Sequence, residues 1–333
     1  MGLSRLASAR PSPLASRPTT APPRVSVVMP LLNNLALTRD CVASLQATLP
    51  RGLAHEIILV DDGSTDGTRE WLGTLGAPFR VVLNERNLGY AAANNRGVAL
   101  ARGRFLALLN NDLILTPQWL EPMLAAHRLL LWRAGLVGNI QRNARTDAID
   151  HVGILVDHRG KPEHDRTPPS PWSRLFAPVR CVPAVTAACV LLRRSLWQQL
   201  GGFDEGYVNG GEDVDLCFRA RAIGRVNAVA LRSVVRHHVS ASPNRKLRDE
   251  ENSYRLARRW RRELVAAATG PLRDWCHNYL DGVLPEPRDA DRVLARRAWL
   301  YARGLSRTPP PEALAAVDAC LGREFAHWEK MFP

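Results

Sequence analysis

Three short acid-rich stretches carry residue types that could do chemistry: Asp61-Asp62-Gly63-Ser64, Asn110-Asn111-Asp112 and Gly211-Glu212-Asp213-Val214-Asp215. A carboxylate in the first could accept hydrogen bonds from a nucleobase imide or from ribose hydroxyls, or bind a metal. Asp, Gly and Ser are also ordinary turn formers, so a plain turn is the competing reading. In the second stretch Asn110 and Asp112 stand two residues apart, on the same side of an extended segment. Such a pair can share a hard cation such as Mg2+ or Mn2+, which takes oxygen ligands and keeps waters or substrate phosphates. The third stretch opens a helix with acids at 212, 213 and 215, where the helix dipole favours them. A general base is the functional alternative there, its proton affinity raised by neighbouring carboxylates. Asn209-Gly210-Gly211 just ahead lets backbone approach a ligand closely. His237 and His238 are adjacent and point to opposite sides of an extended chain, so at most one serves a given site.

These residues need elements to hold them, and the hydrophobic pattern supplies a regular series. VSVVM (25–29), EIILV (56–60), RVVLN (80–84) and FLALL (105–109) read as buried strands. Between them lie helices. The first is capped by Asn34 or Thr38, with Cys41, Val42, Leu45 and Leu49 on one face; the second is capped by Asp66; the third spans 90–101. Near-continuous apolar strands alternating with helices predict a parallel sheet covered on both faces, with ligands beyond the carboxyl ends of the strands. DDGSTD and NND sit at two of those ends. Further on, 136–140, 152–156 and 184–192 are expected strands, and 194–200 and 213–223 expected helices. From about 244 the chain reads as helical, broken by Pro271, Pro285 and Pro309-Pro310-Pro311.

Composition narrows the class. The 333 residues include 46% hydrophobic and 23% charged, too apolar and mixed for a disordered chain. No apolar run approaches the roughly 18 residues of a membrane-spanning helix. The net charge of +13 is spread along the chain, without a dense Lys/Arg block interleaved with aromatics. No C-x-x-C pair occurs among the six cysteines, which fits reduced and mostly buried thiols. Residues 1–23, rich in Pro, Ser, Ala and Arg, are expected to be a disordered tail. The stretch 254–264, YRLARRWRREL, could lie on anionic lipid, or pack its apolar side on the domain and solvate its arginines.

The ordered array VSVVMPLLNN, EIILVDDGSTDGT, NERNLGYAAANNRG, LLNND, GGFDEGYVNGGEDVDLCFRARAIG and RHHVSAS resembles the family 2 glycosyltransferases over roughly residues 24–262. The resemblance implies an α/β glycosyltransferase-A fold, a Rossmann-like, mostly parallel sheet flanked by helices, with a C-terminal helical appendage. It implies a catalytic domain over 24–243, with a nucleotide-sugar half to about 115 and an acceptor half from about 116, and a helical region over 244–333. It further implies inverting transfer from a UDP- or dTDP-sugar, such as rhamnose, to a saccharide or lipid-linked acceptor in cell-surface polysaccharide synthesis.

By position, Pro30 and Asp61 would line the nucleoside pocket with Asp62 close by. Arg86, Asn87, Gly89 and Asn94 would frame the ribose and diphosphate, beside Asn110 and Asn111. Asp112 stands in the metal position, with Asn110 where the family has its first acid, and His237 fits the late His-x-x-Ser position. Asp213, or Glu212, matches the catalytic base. A divalent cation, Mg2+ or Mn2+, is the implied cofactor. A cytoplasmic protein is expected, peripheral on the inner face of the membrane, with a homodimer as one arrangement and no nucleic-acid partner. The rival readings are a nucleotidyltransferase, whose Gly-rich basic loop after the first strand is replaced here by MPLLNN, and a basic membrane- or nucleic-acid-binding protein.

Overall fold

The computed structural model describes residues 22–238, 248–283 and 291–332. Its strands are β1 (Val25–Leu31), β2 (His55–Asp61), β3 (Phe79–Leu83), β4 (Phe105–Leu109), β5 (Leu113–Leu115), β6 (Ala134–Asn143), β7 (Ile149–His151), β8 (Ile154–Val156), β9 (Pro162–His164), β10 (Val179–Cys181), β11 (Cys189–Arg193) and β12 (Val226–His237). The helices are α1 (Leu35–Thr48), α2 (Thr68–Leu72), α3 (Tyr90–Ala99), α4 (Leu120–Leu130), α5 (Pro171–Phe176), α6 (Arg194–Leu200), α7 (Glu212–Ala222), α8 (Asp249–Ala267), α9 (Thr269–Val283), α10 (Arg292–Ala302) and α11 (Pro311–Met331).

The main sheet runs in the order β10-β12-β6-β11-β4-β1-β2-β3, with β5 added to β12 and β7 to β6. Its first half is parallel, as the βαβ pattern requires: β1 pairs with β2 and β4, and β2 with β3. The central strands β1 and β4 are buried along their whole length, which is why they read as unbroken apolar runs. The helix α3 approaches this sheet closely at Gly97, where a Cβ would stand 2.5 Å from Val28 and 2.8 Å from Val60.

The second half departs from the expected parallel sheet. There β11 runs antiparallel to both β4 and β6, and β12 runs parallel to β6 but antiparallel to β5 and β10. Two expected strands also shift. The run 184–192 becomes regular only at Cys189, because the peptide groups before it are used by other parts of the chain (below). The 152–156 run contributes β8, which pairs with β9 in a separate two-stranded sheet. The cap of α1 differs as well: Asn34 occupies the N-cap position with φ 60° but makes no side-chain cap, and Asp66 Oδ2 instead accepts from the Leu35 amide at 2.9 Å. The Asp66 side chain also takes the Thr68 amide at the start of α2, so one carboxylate serves two helix starts.

One hydrophobic cluster runs from Val28 and Ile58 in the sheet through Phe218 to Leu256, Trp260, Leu264 and Trp328 in the C-terminal helices. As the packing alternative has it, the stretch buries its apolar side on the core and leaves its arginines exposed or half-exposed, and three of them also reach carboxylates. Arg255 donates to Asp204 at 3.0 Å, Arg259 lies 3.2 Å from Asp215, and Arg261 donates to Asp318 at 2.7 Å. The apolar side of the stretch, Leu256, Trp260 and Leu264, is taken up by the core and is not open to lipid. The helical stretch parts at Ala268 just ahead of Pro271, which falls in the first turn of α9, where a missing N–H costs nothing. Pro285 lies outside the described residues, as do residues 1–21 of the expected tail. All six cysteines are free, four of them buried.

Candidate active site

The carboxyl ends of β2, β4 and β12 and the start of α7 carry the candidate residues. At the end of β2 the polar groups engage one another. Asp61 is fully buried; its Oδ2 lies 2.7 Å from Arg69 Nε and also accepts from the Gly63 and Ser64 amides. The Arg69 guanidinium donates further to the Asn84 carbonyl. Asp62 holds the next loop: it accepts from Asn84 Nδ2 at 2.7 Å and from the amides of Leu88 and Gly89 at 3.0 and 2.9 Å. That loop presents Arg86 and Asn87 to solvent. Gly63, at φ 91°, lies so near it that a Cβ would stand 2.8 Å from the Arg86 carbonyl carbon. Only glycine meets both conditions. Pro30 lies in β1 beyond its last pair with β4, where the ladder no longer needs its N–H. Asn94 is buried in α3, with Nδ2 donating to the Tyr90 carbonyl and Oδ1 unpartnered.

The end of β4 is arranged differently. Asn111 is structural, donating to Thr38 Oγ1 at 2.8 Å and so tying the turn to α1. Asp112 Oδ1 lies 3.1 Å from Nε2 of His237, a close ion-pair contact whose geometry falls outside that of a hydrogen bond. His237 is buried at the end of β12, while the His238 amide donates to the Asp112 carbonyl. The chain thus selects His237 rather than His238 for the carboxylate. Asn110 Oδ1, Asp112 Oδ1 and His237 Nδ1 are buried without hydrogen-bond partners. Buried polar atoms without partners are costly unless water, an ion or a ligand meets them. A carboxylate, an amide oxygen and an imidazole together suit a divalent cation. No group of three or more His, Cys, Asp and Glu side chains is gathered with metal-binding geometry among the described residues. Ser240 and Ser242 lie outside them.

At α7 the three acids part company. Asp215 is fully buried, accepting from Arg219 Nε at 2.7 Å and from Trp260 Nε1 at 2.7 Å. Glu212 is 6% exposed, and its Oε2 accepts from the Gly210 amide of its own loop. Asp213 is half-buried and engages only backbone amides in the hydrogen bonds described: Val214 on Oδ1 and Ala187 on Oδ2.

The Ala187-Ala188 segment joins the two sides. Ala187 donates to Asp213, its carbonyl accepts from Tyr90 Oη at 3.1 Å, and the Ala188 carbonyl accepts from the Asn110 amide at 2.8 Å. Burial, followed by the charges of Glu212, Asp213 and Asp112, holds the Tyr90 phenol well above its ordinary range. The acids of α7 and of the β4 turn therefore face a common space beside Tyr90. Sequence reasoning missed Tyr90, Arg69 and the Ala187-Ala188 peptides. Tyr90 stands within the NERNLGYAAANNRG motif, whereas a backbone contact such as that of Ala187 leaves no signal in residue types. Asn95 was missed too; it clamps the loop before α7 by exchanging hydrogen bonds with the Phe203 backbone at 2.9 and 3.0 Å.

Known proteins resemble this chain in sequence and in fold. Residues 26–130 match the family described as Glycosyl transferase family 2. The chain is 33% identical over 244 residues to the O-antigen biosynthesis protein RfbC of Myxococcus xanthus, covering 70% of this chain and 19% of that protein. It is 28% identical over 233 residues to the N-acetylglucosaminyl-diphospho-decaprenol L-rhamnosyltransferase of Mycobacterium tuberculosis, covering 61% of this chain and 72% of that one. The first three curated relatives it matches are spanned over only 19–49% of their length. Among solved structures, that of GalNAc-T7 with UDP, GalNAc and Mn2+ superposes with a TM-score of 0.59 at 21% identity, covering 73% of this chain and 50% of that one. That likeness is one of fold, the glycosyltransferase-A architecture. On the matched domain and its relatives, residues 26–130 belong to glycosyltransferase family 2.

Proposed function

We propose that this protein transfers a sugar, with inversion, from a UDP- or dTDP-sugar to a hydroxyl of a saccharide or lipid-linked glycan in cell-surface polysaccharide synthesis. Rhamnose is the sugar we favour, since one relative is a rhamnosyltransferase and another an O-antigen biosynthesis protein. The observation that carries the reading is the opposition of Asp112–His237 to Asp213 across the Ala187-Ala188 peptides. Inverting transfer needs a base on one side of the reacting carbon and charge stabilisation for the departing diphosphate on the other.

In this reading Asp213 is the base. Its two hydrogen bonds leave lone pairs free to take the acceptor's proton, while the amides of Val214 and Ala187 fix its orientation. Glu212 is the alternative, disfavoured by its turn back onto Gly210. Asp112, His237 and the Asn110 amide oxygen would hold a Mg2+ or Mn2+ ion, which when bound supplies positive charge to the donor diphosphate. Arg86, Asn87 and Gly89, on the loop that Asp62 fixes, frame the diphosphate and ribose, with Asn94 behind them. Pro30 and the Asp61–Arg69 pair close the nucleoside side. The catalytic domain takes residues 24–243, and the helices beyond it brace α7.

The test is a donor screen with Mn2+ or Mg2+, measuring nucleoside diphosphate released from UDP- and dTDP-sugars. The reading expects release from one donor class, lost on chelation and in Asp213→Asn. Pyrophosphate release from a nucleoside triphosphate would instead identify a nucleotidyltransferase. Absence of any nucleotide binding by calorimetry would sink the enzyme reading altogether.

A further inference from the structure

The strands beside His237 carry a second set of buried polar atoms without hydrogen-bond partners among the described residues. Gln141 on β6 and His151 on β7 are both fully buried. Neither the amide atoms of Gln141, Nε2 and Oε1, nor the ring nitrogens of His151 have a partner. Asp150 Oδ2 is likewise without a hydrogen bond, 3.6 Å from His164 Nδ1, and the His151 and His164 rings meet edge-on at 4.7 Å.

Strand register places this set next to the cleft. Gln141 is the Cα partner of His151 on one side and of Val235 on the other, and directly opposed residues share a face of the sheet. Val235 and His237, two apart on β12, share that face as well. One strand spacing and two residues of rise put Gln141 about 8 Å from His237. Asp150 is the extra residue of a bulge, since Gln141 pairs with His151 but Arg142 with Ile149. Bulges concentrate beside active sites, where they re-aim a side chain.

Chemistry narrows the occupant. A buried amide and a buried imidazole left unmet destabilise a fold, so a partner is expected. Burial first, then the charge of His164, holds the His151 imidazole well below its ordinary range. The ring is therefore neutral, with one N–H to donate and one nitrogen to accept, and the Gln141 amide also does both. Groups that donate and accept side by side match hydroxyls. A phosphate only accepts, and the Asp150 carboxylate repels it. A cation matches poorly, because no group of three or more His, Cys, Asp and Glu side chains is gathered with metal-binding geometry among the described residues.

We infer that Gln141 and His151 bind hydroxyls of the sugar ring carried by the donor, and so help to select which sugar is transferred. The inference rests on the proposed transfer reaction. There the sugar is bonded directly to the diphosphate assigned to the Asp112–His237 side, within reach of the neighbouring strands. Both side chains are closed to solvent, so the sugar enters as the His164 ring, in edge contact with His151 and 24% exposed at its side chain, turns aside. Buried polar groups that pair only with the right hydroxyls reject sugars that lack them.

The experiment is calorimetry of the full chain in Mn2+ buffer with dTDP, dTDP-rhamnose, UDP and UDP-glucose. Gln141→Met and His151→Phe keep the size of each side chain and remove its hydrogen-bonding atoms. Each should weaken the nucleotide-sugar that wild type binds by at least about fivefold, and the matching nucleoside diphosphate by less than about twofold. Melting temperatures should equal or exceed that of wild type, because an unmet polar group is exchanged for an apolar one. The inference is overturned if sugar and sugar-free ligands weaken alike, if neither changes, or if both variants melt below wild type, which would mark the pair as scaffold. A wild-type chain that binds no nucleotide discards the transferase reading and the inference with it. Nucleotide-sugar binding that survives unaltered in both variants discards the inference alone.

Discussion

The ends of β2 and β4 carry similar residues and treat them in opposite ways. At β2 both carboxylates are occupied from within: Asp61 by Arg69 and two amides, Asp62 by Asn84, Leu88 and Gly89. At β4 Asp112 Oδ1 and Asn110 Oδ1 are buried and lack hydrogen-bond partners, with the His237 ring 3.1 Å from the carboxylate. The same division recurs within α7, where Asp215 is held by Arg219, Arg259 and Trp260 while the hydrogen bonds of Asp213 among the described residues come from backbone amides. Two buried histidines differ in the oxygen they face: His127 lies 3.0 Å from the Leu191 carbonyl and packs edge-on against Phe105, whereas His237 faces the Asp112 carboxylate. Residue type alone does not separate scaffold from site. Whether the neighbours already satisfy the group does.

The division breaks most visibly if Asp213 is replaced. Asp213→Asn should lower turnover by roughly 10²–10⁴-fold with the melting temperature and donor affinity nearly unchanged. Normal turnover would move Asp213 into the scaffold class. The converse holds for Asp215→Ala, which strands Arg219, Arg259 and the Trp260 indole. Denaturant melts should show a loss of about 3–5 kcal/mol, and a stability matching wild type would refute its structural assignment.

A third test uses pH. Burial, with a smaller contribution from the charge of Arg193, pushes the His127 imidazole down to about 4, below its ordinary 6.5. Between those values the unfolded chain binds a proton that the folded chain does not, so stability should fall as pH drops from about 6.5 to about 4. The loss should reach roughly 3 kcal/mol and should be absent in His127→Phe. An unchanged slope in the variant would place that proton elsewhere.

Smaller effects sharpen the contrast at the cleft. Asp112→Asn should weaken Mn2+ and nucleotide binding together by at least about tenfold in calorimetry, with little change in melting temperature. Glu212→Gln should alter turnover less than about threefold, because the amide oxygen still accepts from Gly210. An inactive Glu212→Gln beside an active Asp213→Asn would shift the base by one residue.

Much of this was legible in the residues. The four parallel strands, α6 and α7 were read within a residue or two, three of the strands because burial on both faces of a sheet dictates an apolar run; β3, expected to be buried, is instead a half-exposed edge strand. The acid clusters were legible as candidates by type and spacing. Their division was not, since Arg69, Trp260 and Arg259 reach Asp61 and Asp215 through folds of the chain that no local pattern announces. The antiparallel turn of the second half was hidden for a related reason: β11 is as apolar as β4, and strand direction leaves no mark on composition. The arginines of α8 left two alternatives open because an amphipathic helix looks alike whether its basic side meets water or lipid; its buried apolar side decides for packing.

The Ala187-Ala188 backbone has a consequence for how the cleft can move. One peptide carbonyl takes Tyr90, the amide before it fixes Asp213, and the next carbonyl takes the amide of Asn110. The distance between the cation-facing turn and the acid of α7 is therefore set largely by three consecutive peptide units held at both ends. Thermal motion should carry the two jaws together as one body, so that the gap between them stays constant while loops around it breathe. A proline at Ala187 would remove the amide that aims Asp213 and should free the jaws from each other, widening the spread of their relative positions without altering any side chain in the cleft.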